Sequence, residues 1–205
     1  MFRRCVCRWR SCRRSSARRP CYYYCPRRLF LHIIRASVEQ VELVPDDIPF
    51  NVAAALPVIY YTAYWAVFVV VRLNKDENVL VHAASRGLGQ AIMNLCQHVG
   101  AQIFATVGTL EKKHLLTYEY NIPEGNIFSS RDATFANGIM RATAGKGIDV
   151  IMNLLCGEAL RLPWSCIAPF GRFVELGKRD FTINPRFRDE TFSEERVIYR
   201  SRCAA

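Results

Sequence analysis

Val79-Leu-Val-His-Ala-Ala-Ser-Arg-Gly-Leu-Gly-Gln90 is an apolar strand that ends in a small-residue turn and opens directly onto a helix. This is the layout of a dinucleotide phosphate site, in which the chain turns tightly, approaches a pyrophosphate, and offers it the N–H groups and positive end of a helix. Against G-x-G-x-x-G, Ala84 takes the first glycine position, Arg86 the second and Gly89 the third, with Gly87 and Leu88 between the last two. Arg86 departs from the pattern: a side chain stands where the backbone normally comes nearest the phosphates, and it is expected to impair cofactor binding. The opposing reading is a guanidinium that swings out and pairs with the phosphates. A glycine pair at a helix start also suits plain helix and sheet packing.

The context favours the nucleotide reading. The helix Gln90–Val99 breaks at Gly100, and Gln102-Ile-Phe-Ala-Thr-Val107 reads as a second strand, which completes β-α-β within about thirty residues. At the end of that strand an acid would bind the ribose 2′-hydroxyl of NAD, but the chain has Thr106-Val-Gly108-Thr109 followed by Lys112 and Lys113. Missing acid and added cations favour a 2′-phosphate, hence NADPH, with Thr106, Lys112 or Lys113 near it. The alternative is that the two lysines form the solvated face of the next helix.

The alternation continues with a helix over 111–120, a short strand over 126–130 and a helix over 134–143. A fourth strand follows over 148–153, then a helix over 158–167 with Pro163 in its path, and a fifth strand over 171–176. Strands alternating with helices imply an α/β fold with a doubly wound parallel sheet, and ligands then bind beyond the carboxyl ends of the strands. The turns at 84–89, 106–109, 153–157 and 177–180 should share one crevice.

Charge is unevenly spread over the 205 residues. Residues 1–35 hold eleven arginines and no acid, whereas the other 170 residues hold 17 basic and 18 acidic side chains. The body is close to neutral, so the formal net charge of +10 says nothing of its ligand. The head, residues 1–36, also carries cysteines at 5, 7, 12, 21 and 25, without the paired spacings of a zinc site, and no metal site is expected. It lacks apolar periodicity and reads as a disordered or spurious extension. The competing readings are a mitochondrial transit peptide and an arginine arm for phosphate backbones. Cys96, Cys156, Cys166 and Cys203 are scattered, as buried thiols in a reducing compartment would be, and no secretory signal is evident, so the location expected is cytoplasmic. The stretch 52–71 is uncharged and long enough to cross a membrane, but it contains Asn, Pro and Tyr within it or beside it and leads straight into the first strand. A helix buried on most sides is the reading preferred over a span.

Ordered blocks resemble a known family: Val44-Pro-Asp-Asp47, Ala53-Ala-Ala-Leu-Pro57 with Thr62-Ala-Tyr64, and Val81-His-Ala-Ala84. Further along come Phe104-Ala-Thr-Val-Gly108, Ile127-Phe-Ser-Ser-Arg-Asp132, Gly138-Ile-Met-Arg-Ala-Thr143 and Gly171-Arg-Phe-Val-Glu-Leu-Gly-Lys-Arg-Asp180. They resemble the enoyl reductase domain of highly reducing polyketide synthases of the fungal type, in the medium-chain dehydrogenase/reductase superfamily. The resemblance spans residues 41–187, leaving 188–205 as a tail. It implies NADPH-dependent reduction of an α,β-unsaturated acyl thioester borne by an acyl carrier protein, within a homodimer or larger synthase, with no specific nucleic-acid partner. It also implies that Lys178 and Asp180, in the family's Gly-Lys-x-Asp block, supply electrostatic or proton-transfer help. Asn153 falls in a family Asn-Ser-Leu-x-Gly turn that faces the cofactor.

Departures accompany the matches. The family has tandem glycines at Arg86-Gly87 and a serine at Leu154, and some members carry a lysine just after the turn, where this chain has Glu158, Ala159 and Arg161. Family members also wrap a barrel-like substrate domain around the nucleotide-binding half, most of which is expected to be missing here. Three functions follow: an enoyl reductase fragment, a catalytically inactive nucleotide-binding or interaction module, or such a module with a targeting or nucleic-acid arm.

Overall fold

The computed structural model describes residues 4–8, 11–12, 21–23, 33–37, 41–131, 134–154, 163–176 and 197–200. The chain divides into two compact units at Tyr61/Thr62.

In the first unit, strands β1 (Arg4–Arg8), β2 (Ser11–Cys12) and β4 (Ile33–Ser37) form a small sheet in the order β2-β1-β4. Strand β3 (Cys21–Tyr23) pairs with β5 (Val41–Leu43). Every pairing is antiparallel, with Arg4 opposite Ser37 and Cys21 opposite Leu43. Within 4–37 these pairings are made by the backbone groups of the described residues.

Helix α1 (Phe50–Tyr64) contains Pro57 and runs into a π-helical stretch, Trp65–Val70. Asn51–Val70 is long and apolar enough to cross a membrane, yet only 22% of its most apolar window is buried. The expectation of a helix buried on most sides is therefore corrected. Ala63, Ala66 and Val67 are inside, whereas Val58, Tyr64 and Val69 are exposed.

The second unit is built on β6 (Asn78–Val81), β7 (Gln102–Val107), β8 (Ile127–Ser129), β9 (Ile148–Asn153), β10 (Ile167–Glu175) and β11 (Val197–Arg200). Their order is β11-β10-β9-β6-β7-β8 and every neighbour is parallel. This is the doubly wound order, with two three-stranded halves meeting at β6 and β9. Val79, Leu80 and Val81 are wholly buried, as are Val150, Ile151 and Met152, which is why these strands read as unbroken apolar runs. The one acid among them, Asp149, has a local reason: its Oδ2 accepts the Asn78 N–H at 2.8 Å.

Helices α2 (Gly87–Val99), α3 (Leu110–Glu119) and α4 (Thr134–Ala142) link the strands. Gly100 ends α2 at φ 85°, its N–H reaching back to the Cys96 and Gln97 carbonyls. The core joins Leu80, Phe104 and Ile151 of the sheet to Phe135 and Ile139 of α4, and Phe173 packs edge-on to Trp164 with centroids 5.4 Å apart.

Three expectations change here. The helix over 158–167 falls partly outside the described residues. Where it is described, Pro163–Cys166 is a single 3-10 turn and Ile167 already belongs to β10. Proline lacks the N–H that a longer helix would need. Strand β10 thus begins four residues before Gly171. An irregularity between Ile167 and Arg172, with Phe170 at φ 58°, conceals this in the sequence. A sixth strand, β11, lies in what was read as a tail.

Candidate nucleotide-binding site

The carboxyl ends of β6 and β9 lie side by side, with Val81 opposite Met152, at the point where the strand order reverses. The turn leaving β6 is fastened on both sides: His82 N–H donates to the Met152 carbonyl (3.1 Å) and Ala84 N–H to the Thr106 carbonyl (3.2 Å). Ala83 takes a left-handed conformation at φ 48°, and Arg86 N–H closes back on the Ala83 carbonyl at 2.9 Å. Helix α2 then starts with Arg86 as its N-cap, without a side-chain cap. Its first intrahelical bond is Gln90 N–H to the Arg86 carbonyl, so the N–H groups of Gly87, Leu88 and Gly89 have no partner within the helix.

Each turn residue has a distinct setting. Ala84 is wholly buried, and a Cβ on Gly89 would come within 2.7 Å of Ala84 Cα and 2.8 Å of the Ala83 carbonyl oxygen. Only glycine lets the helix start so close to the strand end. Arg86 is exposed, with φ −84° and ψ 159°, a conformation that any L-residue adopts. Glycine is therefore not demanded there by the backbone, and the side chain stands in the open. Gly87 is exposed and Leu88 half-buried.

Thr106 does not present its hydroxyl to a ligand. The residue is completely buried, and its Oγ1 shares a 2.8 Å hydrogen bond with His82 Nδ1. The reading that placed Thr106 beside a 2′-phosphate meets a side chain turned inward to brace β6 against β7. His82 is itself buried, set edge-on to Phe135 with centroids 5.5 Å apart, and its Nε2 has no hydrogen-bond partner among the described residues. Desolvation lowers its pKa to about 3, so the ring is neutral.

At the exit of β7, Thr109 caps α3 by accepting the Lys112 N–H at 3.4 Å. Lys112 is exposed, whereas the half-buried Lys113 has its Nζ 3.8 Å from Glu124 Oε2. Gly108 is overlooked by the strand exit of β8: a Cβ there would lie 3.7 Å from Ser130 Oγ and 3.8 Å from Arg131 Nε. Across the crevice, Asn153 is wholly buried and its Nδ2 donates to Glu175 Oε2 at 2.6 Å. That bond points the amide nitrogen of Asn153 at Glu175.

Lys178 and Asp180 lie outside the described residues. No group of three His, Cys, Asp or Glu side chains gathers into a metal site among the described residues. Sequence reasoning missed His82, Arg131 and Glu175. A usable signal existed for two of them, since His82 and Glu175 are polar residues within or adjoining apolar strands at crevice ends.

A reversed six-stranded parallel sheet whose central turn opens an uncapped helix defines a Rossmann-like nucleotide-binding domain. No family model matches the sequence. The highly reducing polyketide synthase tstA of Talaromyces stipitatus is 59% identical over 152 residues, which are 74% of this chain and 6% of that protein. The highly reducing polyketide synthase phiA of a fungal species is 56% identical over 150 residues, again 6% of its length. The chain thus spans a small fraction of the curated relatives it matches. Among solved structures, CurK enoyl reductase superposes with a TM-score of 0.75 at 35% identity, covering 83% of this chain and 49% of that one. The nucleotide-binding subdomain of the enoylreductase domain of PpsC from Mycobacterium tuberculosis matches at 31% identity and TM-score 0.62, covering 70% of this chain and 79% of that one. The chain belongs to the enoyl reductase domains of polyketide synthases, in the medium-chain dehydrogenase/reductase superfamily.

Proposed function

We propose that this domain binds NADPH across the carboxyl ends of β6, β7 and β9 and serves the reduction of an α,β-unsaturated acyl thioester. The observation that carries the reading is the turn from His82 to Gly89. It crowds a glycine against backbone and aims the uncapped start of α2 at the switch point of the sheet. The fit of the group rests on that close approach: a Cβ at Gly89 would clash with the Ala83 and Ala84 backbone and force the turn and the helix start apart.

NADPH, when bound, supplies the hydride that goes to the β carbon of the thioester. The protein's part is to hold the dinucleotide, exclude water and deliver a proton to the α carbon. Orientation falls to the α2 N-terminus and to Asn153, whose amide nitrogen points at Glu175. Lys178 and Asp180 are proposed for the electrostatic or proton-transfer role. The thioester would be borne by an acyl carrier protein within a larger synthase, as the names of the relatives suggest.

Titrating the purified chain with NADPH and NADH by calorimetry tests the reading. Saturable binding with NADPH preferred is expected; binding of neither nucleotide overturns it. A second reading, a nucleotide-binding module without catalysis, is favoured by Arg86 and Leu154, which stand where family members carry glycine and serine. Crotonyl thioester reduction separates the two: NADPH oxidation that is lost in a Lys178→Ala, Asp180→Ala chain supports the enzyme. NADPH binding without turnover supports the module.

A further inference from the structure

We propose that Arg86 grips the pyrophosphate of the dinucleotide, adding a charged side chain to a turn that in the family pattern meets its ligand through backbone alone. The inference rests on the NADPH reading above and deepens it. Arg86 stands where family members carry glycine, so the pattern offers no role for it, and obstruction of the cofactor is the expectation from the sequence. The backbone gives no ground for obstruction. At φ −84° and ψ 159° Arg86 is extended and needs no glycine, and the position where a Cβ collides is Gly89, against the backbone of Ala83 and Ala84. A side chain at 86 therefore leaves the turn undistorted, and it is exposed.

The groups around it select an anion. The carbonyls of Ala83 and Arg86 accept the N–H groups of Arg86 and Gln90, at 2.9 and 2.8 Å, and the Ser85 carbonyl accepts the Gln90 side-chain amide at 2.8 Å. Gln90 is held in turn by the Tyr120 hydroxyl, which donates to its Oε1 at 3.0 Å. With those oxygens engaged inside the turn, α2 presents at its start the N–H groups of Gly87, Leu88 and Gly89, and its first turn carries no acid. Arg86 comes immediately before them and is the one cation in the stretch 83–90. No acidic side chain among the described residues pairs with it. A guanidinium there offers a fork of N–H donors to two oxygens of a pyrophosphate whose other oxygens meet the helix N–H groups. The pyrophosphate is common to NADPH and NADH, so Arg86 raises the affinity for both and leaves the choice between them to other residues.

The test measures affinities of the parent, Arg86→Gly, Arg86→Ala and Arg86→Lys for NADPH, NADH and 2′-AMP, which has no pyrophosphate, by calorimetry, with circular dichroism to verify folding. Glycine is well tolerated at an N-cap, so the fold should survive the change. Arg86→Gly and Arg86→Ala are expected to weaken NADPH and NADH by the same factor, roughly ten-fold or more, while 2′-AMP stays within about two-fold. Arg86→Lys should recover part of the loss, because the charge returns and the fork does not. Dinucleotide binding that is unchanged or tighter in Arg86→Gly overturns the inference and leaves the cofactor reading standing, as does a parent that binds neither dinucleotide while Arg86→Gly binds both. If neither the parent nor Arg86→Gly binds either dinucleotide, the cofactor reading is overturned and this inference falls with it.

Discussion

Gly89 concentrates the steric demand of the site in one atom. The obstacles that a Cβ would meet, Ala84 Cα at 2.7 Å and the Ala83 carbonyl at 2.8 Å, are backbone and cannot rotate away. Gly89→Ala is therefore expected to destabilise the domain by about 1–3 kcal/mol, the range for overpacking, and to weaken NADPH binding as the turn opens. Gly125, with no described residue within 4 Å of its Cβ position beyond its chain neighbours, is the control, and alanine there should change stability by less than about 0.5 kcal/mol. Urea denaturation of both variants checks the contrast; equal losses would mean that the turn adapts. Residues of the Gly89 kind were legible in the sequence because the requirement is local and excludes every other side chain. His82, Thr106, Glu175 and Arg131 were not, since their partners depend on strand register. Twenty-four residues separate His82 from Thr106 and 22 separate Asn153 from Glu175.

Among elements, β7 and β9 were readable to the residue, as was most of α2, since unbroken apolar runs bounded by glycine leave little choice of register. The start of β10 was not readable, because its register shifts at Phe170-Gly171 and a bulge has no periodicity. Nor was the exposure of α1, because an apolar run does not say which of its faces is covered. One long-range clamp ties β10 to the loop after that helix: Arg172 donates to the Val71 carbonyl and pairs with Glu77. Glu77 also accepts the Asn74 N–H at 2.8 Å. Both charged side chains are largely buried, at 18% and 24% exposure, so solvent replaces the pair only in part. Arg172→Met should keep the aliphatic packing and lose roughly 1.5–3 kcal/mol, the range for a hydrogen bond to a charged group. If the clamp is as drawn, Glu77→Gln costs little more once Arg172 is gone, which a double-mutant cycle in urea reads directly; full additivity would show that the two act independently.

At the scale of the whole molecule, the reversal of strand order between β6 and β9 makes the nucleotide crevice also the seam between the two halves of the sheet. His82 sits on that seam. Its N–H holds Met152 of β9, its Nδ1 holds Thr106 of β7, and its ring lies edge-on against Phe135 of α4. Protonating it would place a charge among these groups with no acidic partner among the described residues, and burial accordingly lowers its pKa from 6.5 to about 3. The unfolded chain binds the proton first. Above pH 6.5 both states are neutral and His82 contributes no slope; between 6.5 and about 3 it makes stability fall with acid; below about 3 the slope vanishes. Linkage sets that slope at about 1.4 kcal/mol per pH unit at most. His82→Gln keeps a polar partner for Thr106 but has no proton to gain, so its unfolding free energy should decline less steeply than the parent's from pH 6 to pH 4. Urea denaturation of parent and variant at several pH values measures the difference, with the carboxylates common to both chains cancelling. Parallel acid limbs would mean that the imidazole is charged, or reached by water, in the folded protein, and that the seam is not sealed by a neutral histidine.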